Sequence, residues 1–226
     1  MCFSTTADVV AGSVLVPVAV ASLWQVRAPR QVLFAALPAI FALHQFIEAF
    51  VWAGDDGDVS AGVAHAAAVA YAVIAFPLLP LLFPVAVVLI EPRSARRAAS
   101  PFVALGAIVA GYFGSSMATH GVHVTAHAHA LTYDIGTSNG GFWAVLYVVA
   151  VIGPALLSRS WSIRAFGVVN LVGLTVVAVA YTEAFASLWC VYAALTSVLV
   201  LVHLRRAPAW PGQGVRPPEV PFVGSR

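Results

Sequence analysis

Seven apolar segments, each about as long as a helix that crosses a lipid bilayer, occupy most of the chain. They are 9–26, 31–54, 61–90, 101–119, 142–158, 165–182 and 185–204, and a transmembrane helix needs roughly 20 mostly apolar residues. Hydrophobic residues make up 61% of the 226 residues and charged residues 9%, against about 25% charged in an ordinary soluble domain. The sequence therefore excludes a soluble globular domain and predicts an all-α, polytopic membrane protein with seven transmembrane helices.

The third segment contains three prolines, Pro77, Pro80 and Pro84. Each proline lacks a backbone N–H and removes one hydrogen bond from a helix, so we expect a kink in this segment rather than a straight helix.

The charged residues are sorted between the connections of these segments. All eleven basic residues are arginine and fall after the first, third, fifth or seventh segment: Arg27, Arg30, Arg93, Arg96, Arg97, Arg159, Arg164, Arg205, Arg206, Arg216 and Arg226. The opposite ends carry Asp8, Asp55, Asp56, Asp58, Asp134 and Glu183. The positive-inside rule predicts a multi-pass membrane protein with the N-terminus outside and the C-terminus in the cytoplasm.

We expect one seven-helix domain over 1–206 and a disordered cytoplasmic tail over 207–226, which is rich in proline and glycine. The basic connections suit orientation and contact with anionic lipid, so no nucleic-acid partner is expected. The chain has no lysine, which excludes Schiff-base chemistry of the retinal-binding type.

The longest connection, 120–141, separates the fourth and fifth segments. Its residues alternate between apolar and small or polar types, which predicts a short extracellular β-hairpin turning near 126–128. A helical extension of the fourth segment is the alternative, because His120, His123 and His127 are spaced by three and four residues.

Ionisable residues inside a membrane span are costly and are functional candidates by default. His44 and Glu48 lie four residues apart in the second segment, which places them on one face of a helix. Cys190 in the seventh segment lies at about the depth of Glu48, and Cys2 and His129 lie at the same outer end. Thiolate, imidazole and carboxylate together suit zinc or copper.

Other interpretations of these residues stay open. Cys2 and Cys190 could form a disulfide instead of binding metal. Glu48 could be a protonated carboxyl that hydrogen-bonds a neighbouring helix, and His44 could be a donor between helices. Trp52 and Trp143 are expected to be anchors at the membrane interface.

Several short motifs resemble an uncharacterised, largely actinobacterial family of multi-spanning membrane proteins of the DUF6629 type. They are Met-Cys-Phe-Ser at the N-terminus, His44-Gln45-Phe46-Ile47-Glu48 with Trp52, His129-Ala130-Leu131-Thr132-Tyr133-Asp134, and Trp189-Cys190. The resemblance extends to about Val202, although Ala49 stands where the family has glycine and His44 where glutamine is frequent. It implies a multi-pass protein of the bacterial cytoplasmic membrane, with Cys2, Glu48, His129, Tyr133, Asp134 and Cys190 as a linked set. It implies no activity.

From these residues we expect a metal site in the outer half of the bundle, with ligands among Cys2, His44, Glu48, His129 and Cys190. Tyr133 and Asp134 would orient an imidazole from a second shell. Zinc with an open position could hydrolyse a lipid or small amphiphile, with Glu48 as the general base. The alternatives are a proton-coupled transporter that uses Glu48 and a structural or sensory protein with a Cys2–Cys190 disulfide.

Overall fold

The structure, a computed structural model, describes residues 4–127, 130–180, 192 and 196–206. It is mainly helical. The helices are α1 (Thr5–Trp24), α2 (Val32–Ala35), α3 (Leu37–Asp55), α4 (Ala61–Val73), α5 (Leu79–Ile90), α6 (Arg93–His120), α7 (Gly140–Leu156), α8 (Trp161–Ala180) and α9 (Val198–Arg206). A 3-10 turn, Pro29–Gln31, precedes α2, and a π-helical segment, Ile74–Leu78, joins α4 to α5. Two strands, β1 (His123–His127) and β2 (Ala130–Asp134), lie between α6 and α7.

Four helical stretches are long and apolar enough to cross a membrane. They are Thr5–Trp24, Pro29–Asp55, Ala61–Ile90 and Arg93–His120, and they match the first four apolar segments of the sequence. Gly140–Leu156 and Trp161–Val176 are shorter apolar helices at the fifth and sixth segments. These elements are compatible with a helical membrane protein. The count of seven spans and the orientation stay predictions, since much of 185–204 and all of 207–226 lie outside the described residues.

Helices α1 and α3 pack side by side in opposite directions. Ser4 caps the start of α1 by accepting a hydrogen bond from the N–H of Ala7 at 3.3 Å. Near that end the Thr5 hydroxyl donates to Asp56 at 3.2 Å. Further along, Gly12 lies against the ring of Phe46, where an added Cβ would come within 2.9 Å of the ring. A glycine is therefore needed for the close approach of the two helices.

The prolines of the third segment produce a π-helical segment in place of a simple kink. The N–H of Leu79 bonds to the carbonyl oxygen of Ile74, five residues back. The carbonyl of Ala75 thus loses its usual partner, and Pro80 has no N–H to replace it. The Tyr147 hydroxyl on α7 donates to the Ala75 oxygen at 2.8 Å. A neighbouring helix thus supplies the hydrogen bond that the π-helical segment cannot form.

A second proline effect sets the approach of α6 to α5. Pro84 has no N–H for the carbonyl of Pro80, four residues back, so that oxygen is left without a helical partner. Gly106 on α6 lies directly against it, and a Cβ at this position would fall 2.0 Å from the Pro80 oxygen. The pair Pro80 and Gly106 therefore determines how closely α5 and α6 pack.

The connection after α6 forms the predicted hairpin. Helix α6 ends at His120, and Gly121 follows with a φ of 77°, a conformation that favours glycine. Strands β1 and β2 then pair antiparallel, with Val124 opposite Tyr133 and Ala126 opposite Leu131. Leu131 and Tyr133 are buried, while His123 and His127 are exposed. The hairpin is therefore confirmed over a helical extension, and it packs its apolar face on the bundle.

Among the described residues, arginines and most of the acids lie at opposite ends of the bundle, with Glu91 as an acid at the end that carries arginines. At one end, which we call the arginine end, the start of α6, the α7–α8 turn and the end of α9 meet. Ser158 donates to Glu91 there, and His203 Nδ1 lies 3.0 Å from Ser160 Oγ and 2.9 Å from Ser162 Oγ. The opposite end, the hairpin end, carries β1, β2 and the acidic loop after α3.

Candidate functional site

One face of α3 carries three polar side chains with no solvent exposure. His44, Gln45 and Glu48 are each 0% exposed. The sequence predicted that His44 and Glu48 share a helix face, and both side chains do point into the bundle. Buried polar groups in such a place require partners, because burying them without hydrogen bonds is costly.

His44 is held by the backbone of α4. Its Nε2 lies 3.2 Å from the carbonyl oxygen of Tyr71. A carbonyl can only accept, so Nε2 carries the proton in this bond. In the neutral imidazole, Nδ1 is then left with a lone pair. A nitrogen of this kind, with its ring oriented by a second hydrogen bond to a carbonyl, is typical of a histidine that ligates a metal or accepts a proton.

A column of three aromatic rings connects His44 to the hairpin. The imidazole stacks on the Tyr71 ring with centroids 3.8 Å apart and planes 18° from parallel. Tyr71 in turn stacks on Tyr133 of β2, with centroids 4.2 Å apart and planes 11° from parallel. The hairpin thereby packs on the bundle next to His44, with the Tyr71 ring between His44 and Tyr133.

Asp8 brings a second buried carboxylate to this region. Its side chain is 0% exposed, although it lies in the first turn of α1. The contacts of Thr5 with Asp56 and of Gly12 with Phe46 set the antiparallel register of α1 on α3. This register places Asp8 about level with Trp52, roughly 6 Å along the helix axis from Glu48.

Several buried polar atoms around this face have no hydrogen-bond partner among the described residues. They are Nδ1 of His44, both amide atoms of Gln45 and Nε1 of Trp52. Native proteins rarely leave such atoms unsatisfied. Each one therefore marks a place where a bound water, ion or ligand would be stabilised.

The predicted site residues are only partly within the described chain. His44 and Glu48 lie one turn apart on the buried face of α3, and Tyr133 connects to His44 through Tyr71. Asp134 lies on the exposed face of the hairpin, where its Oδ1 accepts a hydrogen bond from the N–H of Gly136 at 2.8 Å. The other predicted ligands, Cys2, His129 and Cys190, lie outside the described residues. Within residues 4–127, 130–180, 192 and 196–206, no three His, Cys, Asp or Glu side chains form a metal-binding group.

Sequence reasoning missed four members of the site. Asp8 was assigned to the outer side of the membrane, and no spacing within α1 indicates that its side chain is buried against α3. Gln45 stands between His44 and Glu48 and could have been included on that ground. Tyr71 had no signal in the sequence, because its role depends on α4 crossing α3. Trp52 was expected to be an interface anchor, whereas it is 5% exposed and belongs to the core.

Comparison with known proteins identifies the family of this chain and gives no function for it. No curated protein and no solved structure matches the chain. A family model described as a family of unknown function (DUF6629) matches residues 1–213, which is nearly the whole chain and includes every residue of the candidate site. The chain therefore belongs to the DUF6629 family, as its motifs indicated.

Proposed function

We propose that this protein binds a transition metal, zinc or copper, in the half of the bundle that the hairpin covers. The observation that carries the proposal is the hydrogen bond from His44 to the Tyr71 carbonyl, which leaves the buried Nδ1 lone pair one helical turn from Glu48. His44 and Glu48 would supply the ligands from α3. Cys2, His129 and Cys190 are the proposed remaining ligands, and their chemistry suits the same metals.

The proposed metal would serve an enzyme that acts on a lipid or small amphiphile. Bound zinc with one open position would supply a water that ionises near neutral pH. If Glu48 is not a ligand, its carboxylate would accept the proton of that water as the general base. Tyr133 would exclude bulk water from above, and the Gln45 amide would donate to an oxygen of the substrate.

Metal analysis of the detergent-purified full chain tests the proposal. We expect the wild type to retain zinc or copper at close to one ion per chain through a desalting step. We expect His44→Ala, Cys2→Ser and Cys190→Ser to lower this ratio. His65→Ala is the matched control, since His65 is an exposed histidine on α4. A metal-free protein with an intact Cys2–Cys190 disulfide would overturn the proposal.

A proton-coupled transporter is the second candidate, and two observations favour it. Asp8 and Glu48 are carboxylates buried in apolar helices, a feature of proton pathways in membranes. The π-helical segment Ile74–Leu78 follows Tyr71 closely, and such segments are frequent at functional sites. In proteoliposomes with an imposed pH gradient, Glu48→Gln would abolish proton movement if this candidate is correct. The metal content would then be low in the wild type as well.

A further inference from the structure

The arginine end of the bundle contains a cleft that the metal proposal does not use. Arg30, Pro92, Arg93 and Arg96 line it, and its volume is about 370 Å³. Three arginine residues from two separate connections therefore line one space. Glu91 is the carboxylate next to this cleft in the sequence, but it accepts a hydrogen bond from Ser158 of the α7–α8 turn. Three arginines outnumber this one carboxylate, so the cleft suits an anion.

Arg96 is held in position by the end of α5. Its Nε donates to the carbonyl of Glu91 at 3.1 Å, and its Nη2 donates to the carbonyl of Leu89 at 3.0 Å. A guanidinium has five N–H donors in a fixed plane, so three remain for a ligand. Because the protein already orients the group, little side-chain entropy is lost when a phosphate binds it.

Glu91 does not line the cleft itself, but it directly precedes Pro92 and its backbone carbonyl bonds to Arg96, so it adds a hydrogen-bond acceptor next to the cleft. The residue is 3% exposed, and one carboxylate oxygen takes the Ser158 bond. The other oxygen, Oε2, is buried with no hydrogen-bond partner among the described residues. An acceptor of this kind suits a ligand that carries hydroxyl donors in addition to its negative charge.

The depth of the cleft matches the head-group region of a bilayer. Trp24 is 82% exposed at the end of α1, and Trp161 is 68% exposed at the start of α8. Exposed tryptophans at helix ends are typical of the membrane interface. Leu157, at the same end, is also exposed and would face acyl chains. The ligand is thus expected to be part of the membrane and not a solute.

We infer that the cleft binds one anionic phospholipid whose head group carries hydroxyls, of the phosphatidylglycerol type. The phosphate accepts hydrogen bonds from Arg93, Arg96 and Arg30, and a glycerol hydroxyl donates to Glu91. The acyl chains stay in the surrounding bilayer. The inference does not depend on the metal site, which lies at the other end of the bundle.

Native mass spectrometry of the full chain in detergent, titrated with defined lipids, tests the inference. We expect phosphatidylglycerol to bind more tightly than phosphatidylcholine. Phosphatidylmethanol has the same charge without the hydroxyls. We expect it to bind about fivefold more weakly than phosphatidylglycerol, which is the effect of one lost hydrogen bond.

Variants of the arginines test the protein side of the contact. Arg93→Ala should weaken phosphatidylglycerol binding about fivefold, and the double variant Arg93→Ala with Arg96→Ala should weaken it further. Arg97→Ala, an exposed arginine on the same helix that does not line the cleft, is the matched control.

Arg96→Ala also removes the bonds to the end of α5, so the double variant could fail to fold. In that case the single variant Arg93→Ala tests the inference, because Arg93 is exposed and its replacement is not expected to disturb folding. Equal binding by Arg93→Ala and Arg97→Ala would overturn the inference, as would equal binding of phosphatidylglycerol and phosphatidylcholine. Equal binding of phosphatidylglycerol and phosphatidylmethanol would overturn the role of Glu91. Displacement of the lipid by millimolar inorganic phosphate would indicate a site for free anions instead.

Discussion

The imidazole of His44 stacks on the Tyr71 ring with centroids 3.8 Å apart, and its Nε2 lies 3.2 Å from the carbonyl oxygen of the same residue. Tyr71 thus orients His44 through both its ring and its backbone. The opposite face of its ring carries Tyr133 of the hairpin. One residue of α4 therefore connects the polar face of α3 to the element that covers it.

Replacement of the Tyr71 ring should release the hairpin. We expect Tyr71→Leu to lower the free energy of unfolding by about 1–3 kcal/mol, because two stacked ring pairs are lost. Hydrogen exchange of the amides in 130–134 should become faster. Tyr71→Phe keeps both ring contacts and is the control, and its exchange in the hairpin should stay closer to that of the wild type. Equal exchange rates in the wild type and Tyr71→Leu would contradict the role of the ring column.

The contact between Gly106 and Pro80 gives a prediction with a control on the same helix. In Gly106→Ala the new Cβ would meet the Pro80 oxygen at 2.0 Å, so α5 and α6 must move apart. We expect a loss of about 1–3 kcal/mol in stability, the usual cost of overpacking. Gly111→Ala has nothing within 4 Å of its added Cβ and should be neutral or slightly stabilising. Thermal unfolding of both variants in one detergent makes the comparison.

The hydrogen bond from Tyr147 to the Ala75 carbonyl should matter more than an exposed bond of the same type. Tyr147→Phe removes the donor that satisfies a buried carbonyl of the π-helical segment, at a cost of about 1–3 kcal/mol. Tyr112→Phe removes a bond to the Ser138 carbonyl, also at 2.8 Å, in an exposed position where water can replace it. We expect a change below about 0.5 kcal/mol there. Similar losses in the two variants would show that the π-helical carbonyl finds another donor.

The hydroxyl groups of the α7–α8 turn should differ in their importance. Ser158→Ala leaves the buried Glu91 carboxylate without its described donor, and we expect a loss of about 1–3 kcal/mol. Ser160→Ala should cost less, because Ser162 also bonds to His203 Nδ1 at 2.9 Å. The double variant Ser160→Ala with Ser162→Ala should therefore lose more than the sum of the single variants. Strict additivity in this double-mutant cycle would show that the two hydroxyls act independently.

Local patterns were enough to predict the helices, the hairpin and the sorting of charge. The apolar segments matched α1, α3 to α5, α7 and α8 within about six residues, because a helix in lipid must satisfy its own backbone groups and needs a minimum apolar length. Helix α6 begins at Arg93, eight residues before the predicted start at 101, because its first turns are polar and basic. The alternation of apolar with small or polar residues in 123–134 predicted the hairpin, because successive side chains of a strand point to opposite faces. His44 and Glu48 were placed on one face by helix geometry alone.

The remaining features depend on which helices touch. Burial of Asp8 and Trp52 requires the antiparallel register of α1 and α3, and no spacing within α1 indicates it. The role of Tyr71 needs α4 against α3 on one side and β2 on the other. Glu91 and Ser158 are 67 residues apart in the chain and meet only because α5 and α7 end at the same depth.

The sequence by itself therefore determined that the chain folds as apolar helices with its arginines at one end and most of its acids at the other. Hydrophobic length and charge are properties of single segments, so they can be read from the chain. Only the tertiary structure decided which polar atoms are buried together, such as His44 beneath Tyr71 and Tyr133. A hydrogen bond or ring stack between segments is a short-range contact, and it forms only where packing brings its two partners within a few ångströms.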